Sequence, residues 1–302
     1  LEPDLTAGVT VDTHDAENRL IESGGVTNTF DANGNMTAKG ADTYSWDAVD
    51  RPIETQTDGT TTQYSYDAKG SRYQATRAGQ TTRYVLDTNT RLTNVLMETT
   101  QVGDPLAYSV YGQGLVGRIL TDGTDLQYHY DSRGSTIAIT DAVENVVQQY
   151  AYDPFGRLAN QQGTTDNPFG YLGKHGVLAE GNDLSYIRAR YYDMRNARFI
   201  SKDAKLGKTS VTQSFNLYAY ALNNPIILID ISGHEGEDAA LLNNQASDSL
   251  LNNALLASAY APTSSAIKNK GLLGQENYSP GVTSFGYYKE ATGCLLACVS
   301  AI

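Results

Sequence analysis

Tyr66-Asp67-Ala68-Lys69-Gly70-Ser71-Arg72 is the stretch that decides the fold, because it is one copy of a turn unit that recurs along the chain. Each copy has an aromatic residue or His, then Asp, then a short turn with Gly or Asn, then a residue that reopens an extended segment. The Asp side chain can accept a hydrogen bond from the backbone two residues on, and Gly or Asn tolerates positive φ. Further copies begin at His14, Phe30, Trp46, Tyr130 and Tyr152.

The spacing of these units predicts β-hairpins. Their aspartates advance by 16, 16, 20 and 20 residues, the length of two short strands and two turns, through Asp15, Asp31, Asp47, Asp67 and Asp87. Between the turns the residues alternate with period two, as in Thr62-Gln63-Tyr64-Ser65-Tyr66, which is typical of strands. We therefore expect an all-β chain whose hairpins form a curved or spiral sheet or partial shell, with the aspartates as turn residues.

Composition restricts the function. The 302 residues carry a net charge of −12, which argues against a nucleic-acid-binding surface, and no apolar run is long enough to span a membrane. The 21 tyrosines against 6 phenylalanines favour a core whose large side chains keep a polar end. The chain begins at Leu1 without an initiator Met or a signal peptide, so we expect its targeting information to lie upstream.

No motif predicts a cofactor or a metal. Gly112, Gly114 and Gly117 match the spacing of the dinucleotide fingerprint, but a strand and a turn follow them, where nucleotide binding requires a helix. His175 has no catalytic partners in its neighbourhood and is predicted to be a surface or packed residue. Near the C-terminus, Cys294 and Cys298 are too few for a structural zinc site and are predicted to form a local disulfide or to remain free thiols.

Several longer motifs resemble the Rhs/YD-repeat family, which includes Tc-toxin C components and the teneurin YD shell. The Tyr-Asp turns resemble its repeats, and the later motifs resemble its Rhs-associated core; these are 188–193 (Arg-Ala-Arg-Tyr-Tyr-Asp), 198–203, 216–225 and the closing Asp230-Ile231-Ser232-Gly233. The resemblance covers residues 11–233. It implies three parts: a YD-repeat hairpin sheet (1–160), the core (161–233) and a variable tail (234–302).

The resemblance also implies a hollow shell that, in many members, cuts its own chain just past the final Gly with two aspartates. By motif position these are Asp203 and Asp230, and the cleavage region is Gly233 and His234. This chain departs from the family pattern, because Ala204 and Ile231 replace the proline that usually follows each aspartate and His234 replaces the usual leucine. The alternative interpretation is that both acids are turn residues or N-caps.

Two functions follow from the sequence. The first is a secreted scaffold that encloses or carries its C-terminal segment as cargo, as in Rhs-type toxin delivery; the second is an extracellular structural or adhesive protein that self-assembles through open sheet edges at the cell surface. Its partners are then the remaining upstream chain, further copies of itself or its own tail. The Ala- and Leu-rich stretch 237–260 predicts one helical segment in an otherwise irregular tail, which is either a toxin or a docking element.

Overall fold

The computed structural model describes residues 11–181, 183–234 and 237–238. Its main feature is one curved, open sheet of 16 antiparallel strands that neighbour each other in chain order. The strands are β1 (Asp12–His14), β2 (Leu20–Ser23), β3 (Val26–Phe30), β4 (Met36–Lys39), β5 (Asp42–Trp46), β6 (Pro52–Thr57), β7 (Thr60–Tyr66), β8 (Arg72–Arg77), β9 (Gln80–Asp87), β10 (Asn94–Thr100), β11 (Pro105–Gly112), β12 (Gly114–Leu120), β13 (Asp125–Tyr130), β14 (Thr136–Thr140), β15 (Val146–Tyr152) and β16 (Leu158–Gly163).

The repeated aspartates build the turns of this sheet. Oδ1 of Asp67 accepts hydrogen bonds from the backbone N–H groups of Lys69 and Ser71, at 2.9 and 2.8 Å. The backbone N–H of Asp67 donates to Ser71 O, and Gly70, with φ of 87°, donates to Asp67 O. The same side-chain pattern recurs at Asp15, Asp31, Asp47, Asp131, Asp141 and Asp153. The structure therefore confirms the predicted role of these aspartates as turn residues.

The aromatic residue before three of these aspartates, Asp47, Asp67 and Asp131, links one hairpin to the one before it. Tyr66 donates from its hydroxyl to Pro52 O at 2.8 Å, and Trp46 donates from Nε1 to Met36 O at 2.7 Å. Tyr130 makes the equivalent bond, to Leu115 O. These side chains pack against the core while their polar ends satisfy backbone carbonyls at the register shifts of the sheet, which explains the preference for tyrosine over phenylalanine.

A second, smaller sheet packs on the buried face of the first. It contains β17 (Leu178–Gly181), β18 (Leu184–Ile187), β19 (Arg190–Asp193) and β20 (Arg198–Phe199), in that order. Single 3-10 turns lie at Gly173–His175, Thr212–Phe215 and Ala221–Asn223, and β21 (Leu228–Ile229) pairs with β22 (Glu237–Asp238).

A buried ion pair joins the two sheets. Nη2 of Arg72, on β8, lies 2.5 Å from Oε1 of Glu180, on β17. The guanidinium also donates to the Tyr191 hydroxyl at 2.8 Å and lies 4.1 Å from the centre of the Tyr186 ring. Both charged groups are buried, so the attraction between them offsets the cost of removing each charge from water.

The predicted all-β class, with hairpins repeated into a curved sheet, is confirmed. Gly114 and Gly117 lie inside β12, a strand as predicted, and no helix follows them. The stretch predicted to be helical, 237–260, begins with Glu237, which lies in strand β22. From residue 239 onward this stretch lies outside the described residues. Cys294 and Cys298 lie outside them as well. The main sheet ends at Gly163, and the three-part division of the chain stays a prediction.

Candidate functional site

The predicted acids Asp203 and Asp230 meet at Arg190. Arg190 begins β19 in the small sheet, Asp203 follows β20, and Asp230 directly follows β21. Arg190 Nη2 lies 2.7 Å from Asp203 Oδ2 and 3.8 Å from Asp230 Oδ2. All three side chains are almost completely buried, so two carboxylates face one guanidinium in a medium that strengthens their interaction.

Asp230 shapes the loop that joins β21 to β22. Its Oδ1 accepts hydrogen bonds from the backbone N–H groups of Ser232, Gly233 and His234, at 3.1, 2.7 and 3.2 Å. The Ser232 hydroxyl donates to the same oxygen at 3.2 Å. One carboxylate oxygen thus organises the loop as a turn residue does, while the other oxygen faces Arg190. The structure thus has Asp230 as a turn residue, and its catalytic role stays a prediction.

Asp203 has a similar division of its two oxygens. Oδ1 accepts from the backbone N–H of Lys205 at 2.8 Å and bonds Nδ1 of His234 at 2.9 Å, while Oδ2 faces Arg190. The backbone N–H of Asp203 donates to Leu217 O, which also accepts from Arg190 Nη1. The position of Asp203 is therefore fixed through its backbone and both of its side-chain oxygens.

Three consecutive residues bind the three carbonyls before His234. Arg188 Nη1 donates to Ile231 O at 2.7 Å, the backbone N–H of Ala189 donates to Ser232 O at 3.3 Å, and Arg190 Nε donates to Gly233 O. Gly233 has φ of 81°, and a Cβ at this position would collide with the backbone of 187–190. Only glycine lets the loop approach this closely.

The peptide group between Gly233 and His234 is therefore held on both sides. Its carbonyl oxygen accepts from the Arg190 guanidinium, and its N–H donates to Asp230 Oδ1. A cation at a carbonyl oxygen stabilises negative charge that develops there, and a carboxyl at the nitrogen can exchange a proton with it. The arrangement around this one peptide bond can thus support acyl-bond chemistry.

Burial changes the acidity of the charged groups here. It raises the pKa of Asp230 above that of an ordinary carboxyl, although Arg190 and the N–H groups of the loop oppose the shift. Burial also lowers the pKa of the Arg190 guanidinium, despite both carboxylates. Two carboxyl groups in unequal environments, one of them with a raised pKa, are an arrangement that can separate acid and base roles.

A cavity of about 690 Å³ adjoins the cluster. It lies between the turns of the main sheet and the small sheet, and Arg190, Asp203 and His234 form part of its wall. A smaller space of about 140 Å³ also contacts Asp203, Asp230 and His234. The larger cavity has room for many water molecules next to the Asp203 carboxylate.

The structure brings together all four site residues predicted from the sequence, namely Asp203, Asp230, Gly233 and His234. Sequence reasoning missed Arg190, although it lies in the quoted motif Arg188-Ala189-Arg190-Tyr191-Tyr192-Asp193. The available signal was an arginine next to two tyrosines within a core-like motif. In the structure all four residues of that strand are buried, and a buried arginine requires an anionic partner. In the described part of the chain, no group of three or more His, Cys, Asp or Glu residues is arranged to hold a metal ion.

His175 is a packed residue, one of the two options predicted. Its Nε2 lies 3.1 Å from Arg133 O, in the turn that precedes β14. Burial lowers the pKa of His175 to about 4, so the ring is neutral at physiological pH. Among the residues described, no helix is long and apolar enough to cross a membrane.

Comparison with known proteins places the chain among YD-shell proteins. The family model described as teneurin YD-shell matches residues 7–226. The tRNA3(Ser)-specific nuclease WapA of Bacillus spizizenii is 34% identical over 226 residues, which cover 72% of this chain and 9% of that protein. Teneurin-1 of Gallus gallus is 24% identical over 222 residues, 70% of this chain and 8% of that protein.

Solved structures share the fold. The TcdB2-TccC3 structure superimposes with a TM-score of 0.54 and 19% identity, over 68% of this chain and 11% of that chain. The Tc holotoxin pore of Photorhabdus luminescens with a TccC3-D651A mutation gives a TM-score of 0.52 at 16% identity, over 76% and 13%. This chain spans less than a tenth of the length of the curated relatives named above.

Proposed function

The chain belongs to the teneurin YD-shell family, and from that premise we propose that it is a secreted shell scaffold that carries residues 234–302 as cargo. The scaffold releases this segment by cutting its own chain between Gly233 and His234. The observation that carries the proposal is the peptide group between these residues, whose oxygen and nitrogen face Arg190 and Asp230 respectively.

In the proposed reaction Asp203 is the base and Asp230 is the acid. Asp203 is the carboxylate closer to Arg190, at 2.7 Å against 3.8 Å, and it contributes to the wall of the large cavity from which water would come. Burial raises the pKa of Asp230, and its Oδ1 lies 3.2 Å from the nitrogen of His234, the atom that takes up the proton. Unequal environments of this kind separate the two roles in a carboxyl pair.

The proposed hydrolysis consumes one water molecule. A water molecule from the 690 Å³ cavity attacks the carbonyl carbon of Gly233 while Asp203 takes one of its protons. Arg190 stabilises the oxyanion that forms on Gly233 O. Asp230 gives its proton to the nitrogen of His234 as the C–N bond breaks, which leaves a carboxyl group on Gly233 and a free amino group on His234.

The mass of the purified 302-residue chain tests this reaction. We expect two fragments, 1–233 and 234–302, on a denaturing gel and in the mass spectrum, and a single uncut chain for Asp203→Asn and Asp230→Asn. Asp131→Asn is a matched control, because Asp131 is a turn aspartate of the main sheet. Identical fragments in all four proteins, or an uncut wild type, would contradict self-cleavage.

The cargo is proposed to be an effector, on the basis of the WapA relatives, which are named as tRNA nucleases. Residues 234–302 contain six acidic and three basic residues, so the proposal does not extend to a tRNA substrate. Expression of the 302-residue chain in bacteria should arrest growth, and expression of Asp230→Asn should do so less. Equal growth of both strains as fast as that of an empty-vector strain would contradict a toxic cargo.

One observation favours the second function, self-assembly of an extracellular structural or adhesive protein. The edge strand β16 is exposed along all six of its residues, and the edge strand β1 is exposed as well. Open edges recruit further strands, from upstream chain or from other copies. Light scattering of the purified chain separates the functions, since filaments support assembly and a stable monomer contradicts it.

A further inference from the structure

We infer that His234 is a positioning residue for the proposed cleavage, and that its imidazole ties the first residue after the cut to Asp203. The inference rests on the proposed function, because it concerns the same peptide bond. It adds a role for a side chain that leaves with the cargo rather than staying with the shell.

Residue 234 contacts both carboxylates through different atoms. Its imidazole Nδ1 lies 2.9 Å from Asp203 Oδ1, and its backbone N–H donates to Asp230 Oδ1 at 3.2 Å. The same N–H also lies 3.3 Å from the Ser232 hydroxyl. The amino side of the peptide bond is thus fixed between the two acids, as its carbonyl side is fixed by Arg190.

The imidazole links two loops that lack a proline after their aspartates. Asp203 and Asp230 lie on separate loops and are followed by Ala204 and Ile231, so neither loop has a proline ring that would fix φ after the aspartate. The bond from His234 to Asp203 joins the loops directly, in addition to the bridge through Arg190. A displacement of about 1 Å in a reacting group can slow a reaction about 100-fold, so a tether at this point affects the rate.

Three 302-residue chains test the inference: wild type, His234→Leu and His234→Asn. Each is made by cell-free translation, exchanged into a buffer at pH 7.5, and followed by gel as the 234–302 fragment appears. Leu removes the donor. Asn places an amide N–H close to the position of Nδ1, so it restores the tether.

At pH 7.5 we expect His234→Leu to be cut about tenfold more slowly than wild type, the usual effect of losing a hydrogen bond to a charged group, and His234→Asn to be cut within about threefold. His129→Asn controls for imidazole loss elsewhere, because His129 bonds Thr140 on the main sheet. Equal rates in wild type and His234→Leu would overturn the inference while self-cleavage stands, whereas an uncut wild type would overturn self-cleavage itself.

Discussion

Acidification should destabilise the fold through His175, and the size of the effect follows from its environment. The pKa of His175 in the folded chain is about 4, against 6.5 for the free side chain. Because the unfolded chain takes up a proton below pH 6.5 and the folded chain does so only near pH 4, stability falls as the pH drops between these values. At 1.36 kcal/mol per pH unit the total loss is about 3 kcal/mol, most of it reached by pH 4.5.

The measurement compares wild type with His175→Gln by urea unfolding at pH 7.5 and pH 4.5. Gln cannot titrate, and its amide can still donate to Arg133 O in place of Nε2. The free energy of unfolding of wild type should fall by about 2 to 3 kcal/mol more than that of His175→Gln, since all other titrating groups are common to both. Equal losses in the two proteins would refute the assignment of a partly buried, neutral His175.

Substitutions at three further positions test other parts of the structure. Arg72→Leu should destabilise the chain by about 3 to 5 kcal/mol in chemical denaturation, because it leaves the buried Glu180 without its nearest cation, and a loss below about 1 kcal/mol would contradict the buried ion pair. Asp67→Ala should cost about 1 to 2 kcal/mol and Asp67→Asn much less, since Asn keeps the acceptor for Lys69 and Ser71; equal costs would show that the carboxylate acts in another way. Gly233→Ala should abolish the proposed cut and lower stability by at least about 1 kcal/mol, because φ of 81° is strained for alanine, so efficient cleavage of this variant would contradict the loop geometry.

The sheet could be predicted from the sequence because its determinants are local. Asp67 bonds the backbone two and four residues on, and the preceding tyrosine bonds the preceding strand, so one heptapeptide contains most of the information for its turn. Repetition of that unit then gives the order of the strands.

The site was predictable only through its motifs. Asp203 and Asp230 were found by their positions in family-like segments, whereas the guanidinium between them comes from Arg190, whose partners are fixed by the docking of the small sheet. No periodic pattern in the sequence predicts the ion pair of Arg72 with Glu180. The same holds for Lys39 and Asp193, which lie 154 residues apart in the chain. Such contacts depend on tertiary packing, and the net charge of −12 gives no indication of them.

The chain order of the 16 strands has a consequence for when the protein becomes active during its synthesis. Since every strand of the main sheet pairs with its immediate neighbours in sequence, each hairpin can close as soon as the ribosome has released it, and the N-terminal hairpins form first. Arg190, Asp203 and Asp230 are translated after all 16 strands, and they meet only when the small sheet has docked. The order of translation alone thus delays the proposed cut until the main sheet has been synthesised.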